Sequence, residues 1–420
     1  MPASDLRLRG AFTRDSAASP RWLSIVGIGE DGVDGLSAVA RELIAAAEVV
    51  FGGRRHLALA GPLIRGARRA WPSPFEKAID EVLAYRGRPI CVLATGDPFH
   101  YGVGVTLARR IAAHEMVVVP APSAFSLAAA RLGWSLADAI LLSLHGRSLD
   151  LIRPHLQPRA RILALMSDSD APAALARSLT ATGFEKSCMT VLEALGGPRE
   201  RIRTAEAASF ALDSIEPLNT VAIEVESGPQ ARVLARAAGL ADDLFEQDGQ
   251  ITKREIRAVT LSALAPRRGE LLWDIGAGSG SIAIEWMLAD PAMRAIAVER
   301  RTDRAARVRR NAMAFGVPGL TVIEAAAPEA LRGLATPDAI FIGGGGGDSG
   351  LMEAATRALR SGGRLVINAL TLETEALLLA RHAAFGGELV RLAVSRTDSL
   401  GGKTGWRAAR PVTQWSWTKP

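Results

Sequence analysis

The fold of the C-terminal half is decided by the stretch Leu271-Leu272-Trp273-Asp274-Ile275-Gly276-Ala277-Gly278-Ser279-Gly280. A short apolar run predicts a buried strand, and a glycine then occupies every other position before a helix begins. Nucleotides bind at this place in α/β sheets, because a strand ends there and the next helix presents its first amide groups. The glycines permit positive φ angles and let the backbone come close to a ligand.

The order of residues in this turn indicates which cofactor it binds. A dinucleotide fold uses the spacing G-x-G-x-x-G for a pyrophosphate, whereas this chain reads D-x-G-x-G-x-G. The carboxylate of Asp274 repels a pyrophosphate and favours a cationic ligand, such as the amino group of a methionine moiety. The next strand ends in Glu299, which is suited to chelating a ribose 2′,3′-diol. S-adenosylmethionine is therefore predicted rather than NAD, with these contacts: Asp274, Gly276, Gly278, Gly280, Ser281 and Glu299.

The rest of the C-terminal half alternates short apolar strands with helices. A helix is predicted over Lys253–Leu264, ended by Pro266. Two strand-like stretches close the chain around the Gly-rich loop Ser399–Gly405, so we expect a doubly wound sheet with an antiparallel edge. The predicted strands are Leu271–Ile275, Ala295–Glu299, Leu320–Glu324, Ala339–Ile342, Arg364–Asn368, Glu388–Ser395 and Arg407–Trp417.

A polar segment, Asp248–Arg257, precedes the cofactor strand. It can be explained as helix capping, with Thr252 as the cap and Glu255 completing a capping box. Capping does not account for so many polar groups just before the cofactor strand. We therefore predict that Gln250, Thr252 and Lys253 act in the chemistry and help to frame the substrate.

Five consecutive glycines, Gly343–Gly347, follow a later strand. They could form a floppy surface loop. At the carboxyl end of a strand, beside the predicted methyl donor, they instead favour a place where a flat, bulky substrate approaches the backbone. On that interpretation Gly343 contacts the cofactor, and the substrate is contacted by Gly344, Gly345 and Gly346.

The N-terminal half has the same α/β alternation but no repeat of the C-terminal motifs. Helical spacing covers Ser37–Val50 and Ala124–Leu132. The pattern breaks at Gly228-Pro229, and a short connecting helix is predicted over Ala231–Leu240. With a boundary near Gly239, the predicted divisions are a disordered tail at 1–20 and domains at 21–238 and 239–420. The predicted strands are Leu23–Val26, Ile90–Ala94, Met116–Val119, Ile140–Leu144, Arg161–Leu165 and Thr220–Val225.

Four turns stand out in the N-terminal half, each directly after a predicted strand. Taken singly, each is an ordinary turn, since Gly-Asp-Pro is among the commonest turn tripeptides. Because all four follow strands, we expect them to gather at one rim of a parallel sheet. They are Val26–Gly32, Thr95–Gly102, Pro120–Phe125 and Leu144–Arg147.

The C-terminal motifs together resemble the decarboxylating precorrin methyltransferases of cobalamin biosynthesis, which have the class I methyltransferase fold. The resemblance rests on Asp248–Glu285, Phe341–Gly347, Asn368–Glu373 and Pro411–Trp415. One departure is the run of alanines at 325–327, where that family usually has Gly-Asp. Adenine contacts near Ala326 are therefore expected to be backbone or apolar.

The order and spacing of the N-terminal turns resemble the tetrapyrrole methylase family, specifically its precorrin branch acting at carbon 5. In that family a cleft between two α/β subdomains holds S-adenosylmethionine. The resemblance implies that His145 and Arg147 contact substrate carboxylates or transfer a proton, although His145 has a structural alternative at a strand end. The implied cofactor contacts are Gly27, Gly29, Gly96, Asp97, Pro98, Ser123 and Ala124, with loop 27–32 also near the substrate.

In this order, the two resemblances cover nearly all of residues 22–417 and imply a bifunctional enzyme of cobalamin biosynthesis. It would use one S-adenosylmethionine per domain to methylate precorrin-6B at carbons 5 and 15. It would also decarboxylate the acetate on carbon 12, giving precorrin-8. Methyl transfer from a sulfonium requires alignment, water exclusion and electrostatics rather than a metal.

Composition agrees with a small polyanionic substrate. The formal net charge is +6 over 420 residues, which suits a polycarboxylate, although dispersed arginines also reflect GC-rich genomes. Candidate carboxylate contacts are Arg147, Arg254, Arg257 and Arg396. Two cysteines predict neither disulfides nor a thiolate metal site. The sequence shows no signal peptide or membrane span, so a cytoplasmic enzyme is expected, as a homo-oligomer and without a membrane or nucleic-acid partner.

Three alternatives remain at this point. A two-domain methyltransferase acting on RNA or another macromolecule predicts clustered basic residues with interleaved aromatics, whereas aromatics make up 5% of this chain. A nicotinamide oxidoreductase is disfavoured by Asp274 and by the glycine spacing. A non-catalytic binding protein would be expected to have lost one of the two cofactor sites.

Overall fold

The computed structural model describes residues 21–72, 76–344 and 347–420. The predicted disordered tail, 1–20, lies outside the described residues. The chain divides into two compact units. Unit 1 takes in Met1–Arg147, as far as it is described, and Arg159–Gly228; unit 2 takes in Ser148–Pro158 and Pro229–Pro420. The domain division near Gly239 stays a prediction.

The first sheet of unit 1 is parallel and five-stranded. Its strands and helices are β1 Leu23–Ile28, α1 Ala38–Ala46, β2 Val49–Gly52, α2 Arg54–Leu59, β3 Ala67–Ala70, α3 Glu76–Leu83, β4 Ile90–Thr95, α4 Val103–Leu107, β5 Met116–Val119 and α5 Ala124–Leu132. The strand order is β3-β2-β4-β1-β5. Apolar clusters cover both faces, as is usual for a parallel sheet.

The second sheet of unit 1 is mixed. It contains β6 Ala139–Ser143, β7 Arg161–Leu165, β8 Cys188–Glu193, β9 Arg201–Glu206 and β10 Asn219–Glu224, with α6 Ala171–Ala181 between β7 and β8. The order is β6-β7-β10-β8-β9, and only β6 and β7 are parallel. Helix α5 packs its Phe125 and Ala128 against this sheet, so it connects the first sheet to the second.

Some sequence predictions for unit 1 were wrong for identifiable reasons. Strands β3 and β9 escaped prediction because edge strands carry polar residues and show no apolar run. The helix predicted over Ser37–Val50 ends at Ala46, because Val49 and Val50 already belong to β2. Ala231–Leu240, which lies in unit 2, forms no helix. Its backbone forms hydrogen bonds outside a helix instead, since the Leu240 amide donates to the Glu285 side chain.

Unit 2 is built on a seven-stranded sheet of order β13-β12-β11-β14-β15-β19-β16. Its elements are α7 Arg254–Leu264, β11 Leu271–Ile275, α8 Ser281–Leu288, β12 Arg294–Glu299, α9 Thr302–Ala314, β13 Thr321–Glu324, β14 Ala339–Ile342, α10 Ser349–Ala358, β15 Arg364–Ala369, α11 Leu372–Phe385, β16 Glu388–Leu392, β17 Ser395–Leu400, β18 Lys403–Ala408 and β19 Val412–Thr418. The first five strands of that order are parallel, and β19 runs antiparallel to both neighbours. The predicted doubly wound sheet with an antiparallel edge is confirmed.

Strand β11 separates two apolar clusters by alternation of its side chains. Trp273 and Ile275 belong to the cluster under α10 and α11, whereas Leu272 belongs to the cluster under α7, α8 and α9. This period of two residues is what a strand buried on both faces produces. Asp274 shares the face of Leu272 and is the one acid in an otherwise apolar strand.

The closing segment differs from its prediction. The stretch predicted as a Gly-rich loop, Ser399–Gly405, lies instead in a separate antiparallel hairpin of β17 and β18. Gly401 and Gly402 join its strands, both with positive φ, which is the conformation that a two-residue hairpin turn requires. The hairpin was missed because its strands are almost wholly exposed and polar.

Candidate functional site

The glycine turn of unit 2 joins β11 to α8 at the carboxyl edge of the sheet. Gly276, Gly278 and Gly280 all have positive φ, at 74°, 60° and 77°. A Cβ on Gly276 would lie 2.8 Å from the Gly344 amide nitrogen, and one on Gly280 would lie 2.7 Å from Val308. Side chains are therefore excluded at Gly276 and Gly280 by conformation and by space. A Cβ on Gly344 would lie 3.9 Å from Gly276 Cα, an ordinary contact, so this close approach requires a glycine at 276 and does not account for the five-glycine run.

Asp274 lies beneath this turn with an unsatisfied oxygen. The residue is 1% exposed; its Oδ2 accepts a hydrogen bond from the Ala283 amide at 3.1 Å. Its Oδ1 accepts none from any described residue. Burial raises the pKa of this carboxyl to about 7, the Ala283 amide opposes that rise, and the Glu299 charge adds to it. A buried carboxylate oxygen without a donor is costly, and a cationic ligand would remove that cost.

Glu299 ends β12 and is also buried. Its Oε2 accepts from the Gly278 amide at 2.9 Å, and its Oε1 accepts from the Arg301 amide at 3.0 Å. Each oxygen keeps a further acceptor position, since a carboxylate has about four. The carboxylate is thus fixed against the glycine turn and able to accept the two hydroxyls of a ribose. The residues present fit S-adenosylmethionine.

The polar segment before α7 crosses the glycine turn. Asp248 anchors it through Arg304 at 2.9 Å and Arg307 at 3.0 Å. The carbonyl oxygen of Gln250 lies 3.2 Å from the Cβ position of Gly278. The prediction that Thr252 caps the helix was wrong, because Lys253 is the N-cap residue and no side chain caps this end.

A cavity of about 1050 Å³ opens from the turn. The polar segment and the glycine turn form part of its lining, and the β17–β18 hairpin forms another part. The chain from β17 to the residues just before β19 brings Arg396, Arg407 and Arg410 to the lining. Sequence reasoning did not single out the latter two, because it placed both in one predicted strand, Arg407–Trp417, where the structure has the end of β18 and a new strand from Val412. The predicted site residues that line the cavity are Gln250, Thr252, Lys253, Asp274, Gly276, Gly278, Ser281, Gly343 and Gly344.

Other predicted residues lie elsewhere. Arg254 is exposed, and Ala326 follows β13; neither contributes to the cavity lining. Gly345 and Gly346 lie outside the described residues. Arg257, a candidate carboxylate contact, is fully buried, and its guanidinium donates to Glu285, Asp242 and backbone carbonyls. It therefore holds the polar segment in place.

Two motifs of the sequence meet at the cavity wall. Asn368 of β15 pairs with Gln414 of β19, and the Gln414 side chain donates to Asn368 Oδ1 and to Thr260 Oγ1, both at 2.9 Å. Asn368 also lines the cavity. The network fixes a polar side chain there and connects α7 to both strands.

In unit 1, three predicted turns meet at the carboxyl edge of the first sheet. A Cβ on Gly27 would lie 1.9 Å from the Gly96 carbonyl oxygen, and one on Gly96 would lie 2.9 Å from Ser123 Cα. Asp97 shapes its loop by accepting from the Phe99 amide at 2.8 Å, and Ser123 caps α5. The turns containing Gly27, Gly96, Asp97, Pro98, Ser123 and Ala124, with Gly29 just beyond β1, are thus brought together.

The fourth turn belongs to the second sheet, so the expectation of a single parallel rim was wrong. It still approaches the Gly-Asp-Pro loop, because the Arg147 guanidinium lies 5.7 Å from the Tyr101 ring centroid. The Tyr101 hydroxyl also donates to the Leu141 carbonyl at 3.3 Å. His145 is exposed, with Nδ1 3.1 Å from the Met166 carbonyl; a carbonyl only accepts, so Nδ1 carries the proton.

Sequence reasoning passed over Gly53-Arg54-Arg55-His56, which follows β2. In the sheet β2 is the neighbour of β4, so this segment lies beside the Gly-Asp-Pro loop. The glycine pair Gly52-Gly53 and the three basic residues after it, which together follow an apolar run, were a usable signal. The strand itself was not recognised, because it was merged into the preceding helix.

Among the described residues, no group of three or more His, Cys, Asp or Glu side chains is arranged to hold a metal ion. No helix in the described part of the chain is long and apolar enough to cross a membrane.

Comparison with known proteins matches each half to a family. Residues 23–211 match the Tetrapyrrole (Corrin/Porphyrin) Methylases, and residues 243–419 match the Precorrin methyltransferase domain. A Sinorhizobium relative named precorrin-6Y C(5,15)-methyltransferase [decarboxylating] is 62% identical over 398 residues, covering 95% of this chain and 96% of that protein.

Two shorter relatives from Salmonella typhimurium match one half each. Cobalt-precorrin-7 C(5)-methyltransferase is 32% identical over 183 residues, covering 43% of this chain and 88% of its own. Cobalt-precorrin-6B C(15)-methyltransferase (decarboxylating) is 32% identical over 179 residues, covering 41% of this chain and 92% of its own.

Proposed function

The chain belongs to the precorrin-6Y C(5,15)-methyltransferase (decarboxylating) family, and on that premise we propose which site performs which reaction. Unit 2 methylates carbon 15 of precorrin-6B and decarboxylates the acetate on carbon 12. Unit 1 methylates carbon 5, and the product is precorrin-8. Each unit binds its own S-adenosylmethionine.

One observation carries the assignment for unit 2. The Oδ1 of buried Asp274, to which no described residue donates, lies at the glycine turn. That turn lines the same cavity as Arg396, Arg407 and Arg410, of which the first two pair with Glu255 and Asp398. One part of the lining thus suits a cationic cofactor and another suits carboxylates. A volume of about 1050 Å³ suits a large ligand, since drug-sized pockets occupy roughly 300–1,000 Å³.

In this proposal the side chains of unit 2 bind the cofactor and the substrate and orient them relative to each other. S-adenosylmethionine, when bound, supplies a methyl group activated on a sulfonium. Asp274 would hold the ammonium of its methionine moiety, and Glu299 would hold the ribose. Gly343 and Gly344 leave room for a flat macrocycle at the backbone. The alignment of donor and acceptor carbon is the main contribution that such a site makes.

The decarboxylation breaks the bond between the acetate carboxyl carbon and its methylene. Carbon dioxide leaves and the electron pair of the broken bond passes into the protonated, conjugated macrocycle. The pair then returns to the methylene carbon, which takes up a proton and becomes a methyl group. The chain has only to orient the carboxylate and keep it poorly solvated. Gln250, Thr252 and Lys253 line the cavity beside the glycine turn and are assigned to that task.

We assign the carbon-5 reaction to unit 1, because its turns form a second site whose architecture differs from the site in unit 2. The convergence of the turns at Gly27, Gly96 and Ser123 supports a cofactor position there. Arg147, held over the Tyr101 ring, is assigned to a substrate carboxylate. His145 Nε2 is available as a proton acceptor.

We also infer an order for the two reactions. The Salmonella carbon-15 enzyme is named for cobalt-precorrin-6B, and the carbon-5 enzyme for cobalt-precorrin-7. The numbering of these substrates supports carbon-15 methylation with decarboxylation first and carbon-5 methylation second.

The test incubates the purified full chain with S-adenosylmethionine and precorrin-6B and follows products by mass spectrometry and carbon-13 NMR over time. We expect a final gain of two methyl groups with loss of one carbon dioxide. The first intermediate should have one new methyl group and no carbon-12 carboxylate. A first intermediate methylated at carbon 5 would reverse the order, and no product with cofactor still bound would favour a macromolecular substrate.

A further inference from the structure

A network of hydrogen bonds in unit 2 holds one side chain at the wall of the cavity. It joins Thr260 of α7, Asn368 near the end of β15 and Gln414 of β19. Thr260 and Gln414 are buried, whereas Asn368 is half-buried and lines the cavity. The proposed function gives Asn368 no role, although it is the member of the network that a ligand in the cavity would meet.

The Thr260 hydroxyl fixes the orientation of both amides. Its Oγ1 lies 2.8 Å from the Ile256 carbonyl oxygen; a carbonyl only accepts, so the one proton of the hydroxyl is directed there. The two lone pairs of Oγ1 then accept from Asn368 Nδ2 at 3.0 Å and from Gln414 Nε2 at 2.9 Å. With either amide turned round, a carbonyl oxygen would face a hydroxyl that has no proton left to donate.

The remaining bond of the network leaves Asn368 with one free donor. The second N–H of Gln414 Nε2 donates to Asn368 Oδ1 at 2.9 Å, so both protons of that nitrogen are used. Asn368 keeps one N–H on Nδ2 and one lone pair on Oδ1, and none of the described residues bonds to either. An ionised carboxylate only accepts. For a polycarboxylate ligand, the network therefore leaves one N–H donor of fixed direction.

The strand register places Asn368 on the side of the cofactor turn that faces away from the proposed ribose contact. Strands β11, β14 and β15 pair through Ile275, Ile342 and Ile367. Asn368 follows Ile367 directly, so it is level with the first glycine of the turn, which follows Ile275. Two strand spacings, about 10 Å, separate the two positions. Glu299 is on β12, which pairs with the opposite edge of β11. On the proposed function the cofactor thus extends toward β12, and Asn368 is left to the substrate.

Decarboxylation needs a donor of fixed direction. The bond to the carboxyl carbon must stand across the plane of the conjugated macrocycle, because only then does its electron pair enter the π system. The acetate rotates about its own bonds in solution, so the protein has to select this rotation. The N–H of Asn368 is suited to that selection, because Thr260 and Gln414 hold its amide from two sides.

A neutral donor also suits the carboxylate that is lost. The negative charge leaves this carboxylate as the electron pair moves into the macrocycle. A cation paired with it would stabilise the ground state more than the transition state and would slow the reaction. Asn368 is uncharged, as are both of its hydrogen-bond partners. The arginines of the cavity suit the carboxylates that the product keeps.

We propose that Asn368 is a catalytic residue of the decarboxylation, whose free N–H binds the carbon-12 acetate and holds it for the loss of carbon dioxide. Thr260 and Gln414 are positioning residues that act by fixing the Asn368 amide. Carbon 15 is bonded to the ring that carries carbon 12, so one position of the macrocycle serves both reactions. The inference rests on the proposed function, which assigns both reactions to unit 2 and the acetate to the polar segment; Asn368 adds a donor of fixed direction.

The experiment compares methyl gain at carbon 15 with carbon dioxide loss. The full chain is incubated with S-adenosylmethionine and precorrin-6B, and the products are followed by mass spectrometry and carbon-13 NMR. Methyl transfer adds a positive charge to the macrocycle and so creates the electron sink, which means that methylation does not wait for decarboxylation. We expect Asn368→Ala to slow decarboxylation about tenfold or more, because the acetate loses its orientation. A product methylated at carbon 15 with its acetate intact should accumulate. Asn368→Asp keeps the shape but replaces the donor by a repelling charge, so it should decarboxylate no faster.

The positioning role is tested at Thr260. Thr260→Val keeps the shape of the side chain but removes the acceptor of Asn368 Nδ2, so the ratio of decarboxylation to methylation should fall, by less than in Asn368→Ala. Thr260→Ser keeps the hydroxyl and should restore the wild-type ratio. Thr356 of α10 is the matched control, because its hydroxyl donates to the Met352 carbonyl at 2.8 Å, as that of Thr260 does to Ile256, and it does not line the cavity. Thr356→Val should leave the ratio unchanged.

The outcomes separate this inference from the function on which it rests. If wild type performs both reactions and Asn368→Ala and Asn368→Asp, folded by circular dichroism, keep the wild-type ratio, Asn368 does not hold the acetate and the function stands. The inference is also wrong if Thr260→Ser is as impaired as Thr260→Val, because the hydroxyl would then not fix the amide. If wild type neither methylates carbon 15 nor releases carbon dioxide, the function proposed for unit 2 fails and this inference fails with it.

Discussion

The two candidate sites differ in how their charged groups are paired. In unit 2, the buried carboxyl of Asp274 has an oxygen to which no described residue donates, so this site has an electrostatic imbalance that a cation would remove. In unit 1, Glu30 pairs with Arg55 and Arg199, and Arg199 also pairs with Glu216 at 3.0 Å, so these charges are balanced. The comparison teaches that two domains proposed to bind the same cofactor need not recognise it with the same kind of group.

The two sites also differ in how far apart in the sequence their residues lie. In unit 2, the glycine turn lies between two consecutive elements, β11 and α8. In unit 1, loops after β1, β2, β4 and β5 meet, and the second sheet adds Arg147 and Arg199. If the two sites work independently, a substitution in one should leave the other reaction intact.

The largest effect is expected from Gly276→Ala in unit 2. The new methyl would lie 2.8 Å from the Gly344 amide, at a residue whose φ is +74°, so the backbone must shift. Carbon-15 methylation and decarboxylation should fall about a hundredfold or more, as misplacement of about 1 Å can cause. Carbon-5 methylation of the supplied intermediate should continue, as measured by mass spectrometry. The matched control is Gly319→Ala, where the nearest described atom to the new Cβ would be Met287 Cε at 3.8 Å, an ordinary contact, and this variant should retain both reactions.

The reciprocal substitution is Gly96→Ala in unit 1. Its Cβ would lie 2.8 Å from the Pro122 carbonyl oxygen, again at a positive φ. Carbon-5 methylation should fall at least about tenfold, because the strained conformation costs roughly 1–2 kcal/mol before any ligand contact is lost. The chain should then accumulate the singly methylated, decarboxylated intermediate from precorrin-6B. Loss of both reactions in either variant would contradict independent sites.

The imbalance at Asp274 predicts a pH dependence of cofactor binding in unit 2. The ordinary value of 3.8 is raised to about 7 in the folded chain, so the folded state holds a proton that the unfolded state has lost. The stability from this carboxyl is therefore present below pH 3.8 and lost as the pH rises through about 7. A bound cation favours the ionised form, so binding should release a proton.

Calorimetry of S-adenosylmethionine binding in buffers of different ionisation enthalpy measures this proton directly. With the unit 1 site weakened by Gly96→Ala, affinity should fall about tenfold per pH unit below about 7 and level off above it. Asp274→Asn should bind more weakly and show no such dependence. Affinity in the parent protein that did not change between pH 5 and 8 would show that Asp274 does not hold the cation.

The contrast between a turn made of consecutive elements and a site made of distant loops explains which site residues could be predicted from the sequence. Asp274, the three glycines and Glu299 could be singled out because their positions on a strand or turn mark them, and the doubly wound sheet followed from the alternation of strands and helices. Arg407 and Arg410 were missed because both fell in one predicted strand, Arg407–Trp417, and only the tertiary structure brings this part of the chain to the cavity. Arg55 and Thr95 lie 40 residues apart and meet only through the pairing of β2 with β4. Contacts of that kind depend on tertiary structure, which local sequence patterns do not record.

The smallest expected effect distinguishes two exposed arginines of unit 2. Arg410 lines the cavity and Arg254 does not, although sequence reasoning chose Arg254 as the substrate contact. Exposed charge pairs contribute about 0.2–1 kcal/mol, so Arg410→Gln should raise the KM for precorrin-6B in the carbon-15 reaction by about two- to fivefold. Arg254→Gln should leave it unchanged, and added salt should narrow the difference because exposed charges are screened. The opposite pattern would restore Arg254 as the substrate contact and would remove Arg410 from the proposed carboxylate-binding wall.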